Sequence, residues 1–327
     1  MEFIGRQIEL GLAVESVRGD AETQAAKWVK NVTASIISKV EKVRDDGKRG
    51  RLELQEGSRV VQKWYDGSLE GLLHADVIGY LLTNLYGADD PTSLGDSVYS
   101  HEFTLDQEIT HATLTAIAKD GAVSQKILNG GAVNSLSISA AIDNYVRFAS
   151  EIIFLGAEDD TDSPTYDTEY DFIAKDITVK FADTENGLAQ ATAIKAKSIT
   201  INWAANVIRN HVFGAYAPDA NYNSGFGLEI ELTRDYTDDT FKDLWEGDGT
   251  EYAQIAIVGS QDIGGANHPS LTLILNKTQV TAWERSGGAD ELVTENVTLV
   301  AFFNEDDDEQ SMLTLVNNTA VYITPES

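Results

Sequence analysis

The chain has 327 residues, of which 42% are hydrophobic and 9% aromatic, values typical of a folded globular protein and not of a disordered or fibrous one. Its 53 acidic and 24 basic residues give a net charge of −29, the wrong sign for a surface that neutralises nucleic-acid phosphates. The absence of cysteine excludes disulfides, thiol catalysis and cysteine-ligated metals.

A chain of this length can hold two domains of about 150 residues. It has no run of about 18 apolar residues and does not begin with the residue order of a signal peptide, so we expect a soluble protein made in the cytoplasm, with no membrane partner. The acidity has two interpretations, a solvated acidic surface and adaptation to high salt, and both stay open at this point.

Alternating apolar residues predict strands along most of the chain, so the protein is expected to be mainly β. In the first half the predicted strands are Val32–Val43, Arg51–Trp64, Thr113–Lys119, Ser135–Ala141 and Val146–Leu155. In the second half they are Ile177–Phe181, Ser198–Trp203, Leu228–Leu232, Ala253–Val258, Leu271–Leu275, Asn296–Phe302 and Met312–Val316. The long polar stretch Ala215–Gly227 is expected to be a functional or disordered loop.

One helix is predicted in each half, at the same point in the order of elements. The first runs from an N-cap at Ser68 to a C-cap at Gly87, although Gly71 and Gly79 weaken it by roughly 1 kcal/mol each. The second is a short helix, Thr240–Glu246. So little helix argues against an α/β nucleotide-binding enzyme.

The two halves carry similar signals in the same order, which indicates an internal duplication. Phe3-Ile4 before Ile8 matches Phe172-Ile173 before Ile177. Two later matches are separated by the same number of residues. They are His111–Thr115 with His268–Thr272, and Gly130-Gly131 with Gly287-Gly288.

The duplication predicts two tandem β-sandwich or half-barrel domains, each with one flanking α-helix. The first is residues 1–157 and includes an N-terminal arm at 1–30; the second is residues 172–327. Between them, residues 158–171 form an acidic stretch with proline and serine, which is typical of an exposed linker.

No catalytic, cofactor or metal site is predicted. The chain has no P-loop, GxGxxG or GxSxG motif, and its five histidines are not at metal-ligand spacing. The repeat-related positions of His111 and His268 favour a structural role. The acidic runs Asp159–Asp162 and Glu305–Glu309 lack the glycine and glutamate that an EF-hand loop requires, so they are interpreted as solvated charge.

Several short, non-catalytic motifs follow one another in the first half. They are the opening Gly11–Ala21, which contains Glu15 and Arg18-Gly19, then Trp28, Arg49–Arg51, Asp66–Gly71, His74–Leu82, Leu85–Gly87 and His111–Thr115. In this order they resemble the tail tube (major tail) proteins of long-tailed bacterial and archaeal viruses. The resemblance covers most of the first half and reaches the second half only through the repeat.

The resemblance implies a non-enzymatic virion protein whose domain consists of two packed β-sheets and a flanking helix. Sheets of neighbouring subunits would join into an inner barrel, and rings would stack with the help of an N-terminal or loop segment. A doubled chain implies a ring of three chains with pseudo-sixfold symmetry, whereas single-domain relatives use six. Further partners would be other tail proteins, such as the tape measure and terminator, and no cofactor is implied.

In such a tube the acidity would serve genome passage, because a carboxylate wall does not hold DNA. Only acids close to the lumen would act, since physiological salt screens charges beyond about 8 Å. Arg51–Trp64 and Leu228–Leu232 are the strands expected on the inner sheet. Two alternatives remain: a two-domain β-sandwich binding module, such as an adhesin or capsid decoration protein, and an enzyme that uses two of the many carboxylates.

Overall fold

The computed structural model describes residues 4–323 apart from residues 46–49, 51, 53–56, 122, 160 and 161. The elements of the first half are β1 Ile8–Val14, β2 Lys27–Val29, β3 Val32–Arg44, β4 Ser58–Leu72, α1 Ala75–Tyr86, β5 Asp90–Gly95, β6 Val98–Phe103, β7 Leu114–Asp120, β8 Ser124–Ala141, β9 Arg147–Phe154 and β10 Gly156–Asp159. Those of the second half are β11 Ile177–Ala182, α2 Glu185–Leu188, β12 Ala196–Ala204, β13 Val207–Asn210, β14 Ala220–Asn223, β15 Gly227–Asp235, α3 Thr240–Glu246, β16 Glu251–Val258, β17 Ser270–Ser286, β18 Thr294–Ala301 and β19 Ser311–Asn317.

The protein is mainly β, as predicted, and every strand ladder within the described residues is antiparallel. Each predicted strand overlaps a strand of the structure, several with longer bounds, and α3 lies where it was predicted. Of the prediction Arg51–Trp64, residues 58–64 lie in β4, residues 52 and 57 are not in a strand, and residues 51 and 53–56 lie outside the described part. The sequence Asp45-Asp46-Gly47 also predicts a hairpin turn, and residues 46 and 47 of it lie outside the described residues.

The two halves share one strand order. In the first half the hydrogen-bonded neighbours run β1-β7-β8-β9-β4-β3. In the second they run β11-β16-β17-β18-β15-β12. A short 3-10 turn precedes β1 and another precedes β11, and a helix follows β4 in one half and β15 in the other. The order of the predicted elements therefore agrees with the structure.

The strand ladders also fix which residues correspond. One row of paired residues in the first half, Val133, Ile152, Gly67 and Ile36, has its counterpart in Val280, Leu299, Ile230 and Ile201. In each half a bulge interrupts the ladder immediately after the first residue of the row, at Asn134 and at Thr281. A shared bulge at the same row makes this correspondence specific.

Part of the predicted repeat register is wrong. Gly130-Gly131 lie within β8, whereas Gly287-Gly288 follow the end of β17; His111 precedes β7, whereas His268 precedes β17. Short sequence matches between the halves do not show which strands pair in each half. The register of a strand is set by its ladder of backbone hydrogen bonds and by the residues on its buried face.

The two halves are joined by a strand pairing. β12 pairs with the C-terminal part of β8 from Ser198 opposite Ala141 to Ala204 opposite Ser135. A single antiparallel sheet therefore runs β3-β4-β9-β8-β12-β15-β18-β17, and we call it the long sheet. The N-terminal parts of β8 and β17 leave it to pair with β7 and β10 and with β16 and β19.

The first helix begins at Ala75 and not at Ser68 as predicted. Ser68 lies within β4, where it pairs with Ser35 of β3 and Glu151 of β9. The backbone hydrogen bonds that β4 forms with β3 and with β9 hold this segment as a strand, although the spacing of its leucines favours a helix. The predicted C-cap is confirmed, since Gly87 has a φ of 86°.

Gly79 lies inside this buried helix for a packing reason. A Cβ atom there would lie 1.9 Å from the ring of Tyr322, which is itself buried. The missing side chain lets the C-terminal segment close over the helix. The loss of helix propensity is thus offset by packing of an aromatic ring.

Much of the expected arm at residues 1–30 belongs to the core of the subunit. β1 pairs with β7 along its whole length and with β2 on its other edge. Leu10, Leu12 and Val14 are buried. The described part of this segment is therefore a structural strand pair and not a free extension, because burial of three aliphatic side chains is worth several kcal/mol.

The acidic linker also lies against the first half. Residues 156–159 form β10, residues 160 and 161 lie outside the described part, and residues 162–170 are in neither helix nor strand. The Ala25 backbone N–H donates to Asp162 at 3.1 Å, and that of Lys30 donates to Glu169 at 3.2 Å. The carboxylate of Glu169 is buried, 3.4 Å from the imidazole of His74.

The polar stretch predicted as a loop, Ala215–Gly227, contains β14, which pairs with β13. Its Asn221 is buried and donates to the carbonyls of Gly130 at 2.9 Å and Ile153 at 3.1 Å. The side-chain amide of Asn221 thus attaches this stretch to β8 at Gly130. The composition of the stretch does not distinguish this residue from its polar neighbours.

Candidate functional site

One face of the long sheet packs on the core and the other is open. Side chains alternate along a strand, and on β15 Leu228, Ile230 and Leu232 are buried while Glu229 and Glu231 point the other way. The same alternation on each strand defines what we call the open face. Its residues include Thr33, Ser35, Ile37, Lys39, Asp66, Ser68, Glu70, Ser135, Ser137, Ser139, Arg147, Ala149, Glu151, Ser198, Thr200, Asn202, Glu229, Glu231, Thr233, Asp235, Ala282, Glu284, Asn296, Thr298 and Val300.

The open face is continuous from one half to the other. A single row of paired residues crosses all eight strands: Thr33, Glu70, Ala149, Ser137, Asn202, Glu229, Val300 and Gln279. The row passes through the β8–β12 junction without a break. The two halves therefore present one surface.

The open face is acidic. Asp66 forms an ion pair with Arg209, and Asp235 forms one with Lys197. Five glutamates, Glu70, Glu151, Glu229, Glu231 and Glu284, have no ion pair with any cation in the described part of the chain. The surface between these carboxylates is mostly Ser, Thr and Asn. It attracts cations and water, and it repels phosphates.

A shallow groove of about 630 Å³ crosses the open face where the halves meet. Serines line it on β4, β8 and β9, and glutamates line it on β4, β9 and β15. None of its lining residues is a histidine, cysteine or lysine, so the serines have no general base of those types beside them. The groove offers hydroxyls and carboxylates.

One of the two strands expected on the inner sheet contributes directly to this face. β15 supplies Glu229 and Glu231. On β4, the acidic residues of the open face are Asp66 and Glu70, beyond the end of the predicted strand Arg51–Trp64. Residues 51 and 53–56 of that prediction lie outside the described part.

A second polar cluster explains the opening motif of the sequence. The carboxylate of Glu15 is buried directly after β1. It accepts hydrogen bonds from the backbone N–H groups of Gly19 and Gly130, both at 2.7 Å, and from the hydroxyls of Thr113 and Thr115. Burial raises the pKa of Glu15, and these hydrogen bonds oppose the rise.

Arg18 completes this cluster. Its guanidinium donates to the carbonyls of His111 and Asn221 and lies 5.5 Å from the ring centre of Tyr222. Gly19 follows with a φ of 87°, a conformation that favours glycine. The Glu-x-x-Arg-Gly motif therefore ties the N-terminal loop to β7, to the bend in β8 and to β14, and its role is structural.

The histidines that the sequence grouped together lie in different environments. The ring of His111 is buried and within 3.1 Å of the carbonyls of Asn84 and Asp106, whereas His268 is exposed. Their predicted equivalence is wrong, because they precede strands that do not correspond. His101 is buried between Asp89, at 2.9 Å, and the Thr319 carbonyl, at 2.8 Å.

Within the described residues, no three histidine or acidic side chains are placed to hold a metal ion. The acidic run Glu305–Glu309 forms a turn in which Asp307 accepts hydrogen bonds from Asn304 at 2.6 Å and Tyr252 at 2.8 Å. None of the described helices combines the length and apolarity that crossing a membrane requires.

Comparison with known proteins identifies one family. A sequence profile described as "Phage tail tube protein" matches residues 5–301. The matched span covers most of both halves and contains the open face and the Glu15 cluster. A search of curated protein sequences finds no match.

Proposed function

We propose that this chain, which belongs to the phage tail tube protein family, forms three-membered rings that stack into a tube with an acidic lumen for genome passage. As a member of that family it is a structural component of the virion tail that assembles with itself and with other tail proteins. The ring size, the stacking and the lumen are the proposal.

The observation that carries the proposal is the shared strand order of the halves and their joining in one sheet. We interpret the two halves as tandem tube domains, approximately 1–157 and 172–327, that arose by internal duplication. One chain then fills two equivalent positions, and three chains give a ring with pseudo-sixfold symmetry. A heterologous contact that closes by rotation produces such a ring.

In this ring the open face lines the lumen. DNA carries about one negative charge per 1.7 Å of axis, and a wall of carboxylates leaves it free to slide. The five glutamates without ion pairs are the residues that would face it. Only side chains within about 8 Å of the DNA act at physiological salt, so the charge of the outer surface is irrelevant to passage.

The remaining partners follow from the position of a tube in a virion. A tape measure protein and a terminator protein would contact the stacked rings, assembly would take place in the host cytoplasm, and no cofactor or membrane would be involved. The protein would carry out no catalysis, in keeping with a structural family and with a groove that offers serines without a neighbouring histidine or lysine.

Electron microscopy of the purified protein together with mass measurement tests the proposal. We expect rings of three chains whose projections show six similar lobes, and tubes at higher protein concentration. Rings of six chains would contradict the stoichiometry. A protein that stays monomeric at all concentrations and is absent from purified tails would contradict the function and favour a binding module.

A further inference from the structure

A cluster of ionisable side chains lies at the base of the β3–β4 hairpin. Lys27 comes from β2, His74 and Asp76 from the start of α1, and Glu169 from the acidic linker. The side chains of His74, Asp76 and Glu169 are 2%, 6% and 3% exposed. That of Lys27 is 11% exposed, whereas the other lysines in ion pairs between described residues are at least 30% exposed. A lysine amine is thus held in a site largely closed to water.

Several polar atoms of this cluster lack the hydrogen bonds that buried groups normally form. Oδ1 of Asp76, both ring nitrogens of His74 and Oε2 of Glu169 are buried, and none of them has a hydrogen-bond partner within the described part of the chain. Nε2 of His74 lies 3.4 Å from Oε2 of Glu169 but is not aligned for a hydrogen bond. Nζ of Lys27 lies 3.8 Å from Oδ2 of Asp76. Because a buried polar group without a partner is costly, the cluster has an interaction still to make.

Lys27 and Asp76 also meet the protonation requirements of amide formation. Burial raises the pKa of Asp76, while the charge of Lys27, a backbone hydrogen bond and the charge of His74 oppose the rise. The Asp76 carboxylate can accept a proton from the Lys27 ammonium, which leaves a carboxylic acid beside a neutral amine. This transfer also removes two charges from a poorly hydrated site.

We propose that the side chains of Lys27 and Asp76 are joined by an isopeptide bond that forms in the folded chain. The Nζ atom of Lys27 attacks Cγ of Asp76, so that an N–C bond forms and the bond from Cγ to the hydroxyl oxygen breaks. The amine gives up one hydrogen and the carboxyl group its hydroxyl, and the two leave together as one molecule of water. The step is a condensation, and neither an oxidant nor a cofactor takes part.

His74 and Glu169 assist this condensation. A ring nitrogen of His74 takes the proton that the attacking amine loses and returns it to the departing hydroxyl, acting first as general base and then as general acid. Its two nitrogens are available for this role, since neither has a hydrogen-bond partner among the described residues. The carboxylate of Glu169, 3.4 Å from Nε2, stabilises the protonated ring.

The bond fastens the base of a long hairpin. Lys27 precedes β3 and Asp76 follows β4, so a link between them closes the loop that contains both strands. A covalent link keeps the two ends of the hairpin together when its strands are pulled or separate. The chain has no cysteine, so a disulfide cannot serve this purpose. The bond lies within one subunit and goes beyond the proposed function, because it does not depend on how many chains form a ring.

The mass of the intact, denatured chain tests the proposal. We expect the wild-type protein to be lighter by one water molecule than its sequence requires, and digestion should yield a fragment in which the segments that contain Lys27 and Asp76 are linked. Lys27→Arg keeps the positive charge but removes the amine, so this variant should have the full mass. The matched control is Lys126→Arg, which changes a lysine that pairs with Asp159 on the exposed surface and should still lack the water.

The same variants distinguish this bond from other losses of water. Succinimide formation at an Asp-Gly sequence such as Asp66-Gly67 also removes one water molecule, but that loss would persist in Lys27→Arg. In protein made by cell-free synthesis, His74→Gln should slow the loss of water at least about tenfold, since general acid–base catalysis contributes a factor of about 10²–10⁴. Circular dichroism of the His74→Gln variant controls for its folding.

Two results would overturn the inference: a wild-type mass equal to that of the sequence, or a loss of water that Lys27→Arg retains. Both leave the proposed function standing, because rings and tubes are observed separately by electron microscopy. A protein that lacks the water yet forms neither rings nor tubes would uphold the bond and contradict the proposed function.

Discussion

The β8–β12 junction within the chain and the edges of the long sheet that are unpaired within the described residues, on β3 and on the C-terminal part of β17, consist of corresponding strands with different side chains. At the junction, β12 presents Ile199, Ile201 and Trp203 to the core, all buried. The counterpart positions on β3 are Ala34, Ile36 and Ser38, of which Ala34 and Ser38 are smaller than their counterparts and Ser38 is exposed. The junction within the chain therefore buries larger side chains than the edge of β3 offers.

The hairpins beside these edges differ in a related way. β3 and β4 have 13 and 15 residues, whereas β12 and β15 have 9 each and are separated by the β13–β14 hairpin. The first half therefore extends its strands outward, and the second half folds a short hairpin back onto β8.

The largest expected effect tests the internal junction. Trp203→Ala removes a fully buried indole whose N–H donates to the Tyr86 hydroxyl at 3.1 Å. We expect a loss of about 3–5 kcal/mol in the free energy of unfolding, measured by urea denaturation. Trp283→Ala, at the outer edge, should lower subunit stability by less than about 2 kcal/mol and impair assembly instead. Equal losses of stability would remove the distinction between the junctions.

The second prediction compares two residues that follow corresponding strands. Glu15 follows β1 and is buried, while Thr184 follows β11, is exposed and caps α2 by accepting from the Gly187 N–H at 3.2 Å. Glu15→Ala leaves several buried donors without an acceptor and should cost about 3 kcal/mol of unfolding free energy. Thr184→Ala should cost about 1 kcal/mol. A larger loss from Thr184→Ala would contradict the structural role of the Glu15 cluster.

Glu15 also predicts a pH dependence. Because burial raises its pKa above the ordinary value of 4.5, protonation of Glu15 favours the folded state. Its contribution to stability is therefore complete below about pH 4.5 and falls as the pH rises through the raised pKa. Glu15→Gln removes this titration, so the difference in unfolding free energy between wild type and variant should be larger at pH 4 than at pH 8. No change with pH would show that the pKa is not raised.

A third prediction concerns the surface that both halves share. The triple variant Glu70→Lys, Glu151→Lys and Glu229→Lys should still assemble, because all three side chains lie on the open face. Genome ejection from virions that carry it should slow several-fold, since the wall would then hold phosphates. The triple glutamine variant is the control for loss of charge without reversal. Unchanged ejection in the lysine variant would show that wall charge has no role in passage.

The smallest expected effect is an ion pair across the outer edge. In the joined sheet of the proposed ring, β3 of one copy would lie beside the C-terminal part of β17 of the next, and the register of the β8–β12 junction would place Lys39 diagonal to Glu284. Lys39→Glu or Glu284→Lys alone should raise the protein concentration needed for assembly by less than about fivefold, since exposed pairs contribute about 0.2–1 kcal/mol. The double exchange should restore the wild-type value, as measured by sedimentation of tubes. If the effects of the two single changes simply add in the double exchange, Lys39 and Glu284 do not interact with each other.

Much of the fold follows from the sequence because period-2 alternation is a local property. The predicted strand Leu228–Leu232 lies within β15, and the bounds of α3 are those predicted from the sequence. The first helix was placed too early because Leu69 and Leu72 have helical spacing, and only the ladders on either side of β4 show that both lie in a strand.

The open face could not be obtained from sequence to the same extent. Whether Glu229 and Glu70 share a surface depends on pairing across five strands, and the register of each pair is a non-local property. The misaligned histidines and glycines show the same difficulty. The bulges at Asn134 and Thr281, which identify the true register, have no distinctive composition.

The β8–β12 junction has a kinetic consequence. Its two strands belong to one polypeptide, so they meet at an effective concentration that does not depend on the concentration of free subunits. That contact forms as the chain folds. In the proposed ring of three chains, three of the six contacts between modules would then remain to be formed between molecules, whereas six separate modules would have to form all six. The internal and outer contacts would alternate around the proposed ring, so it would contain an even number of modules.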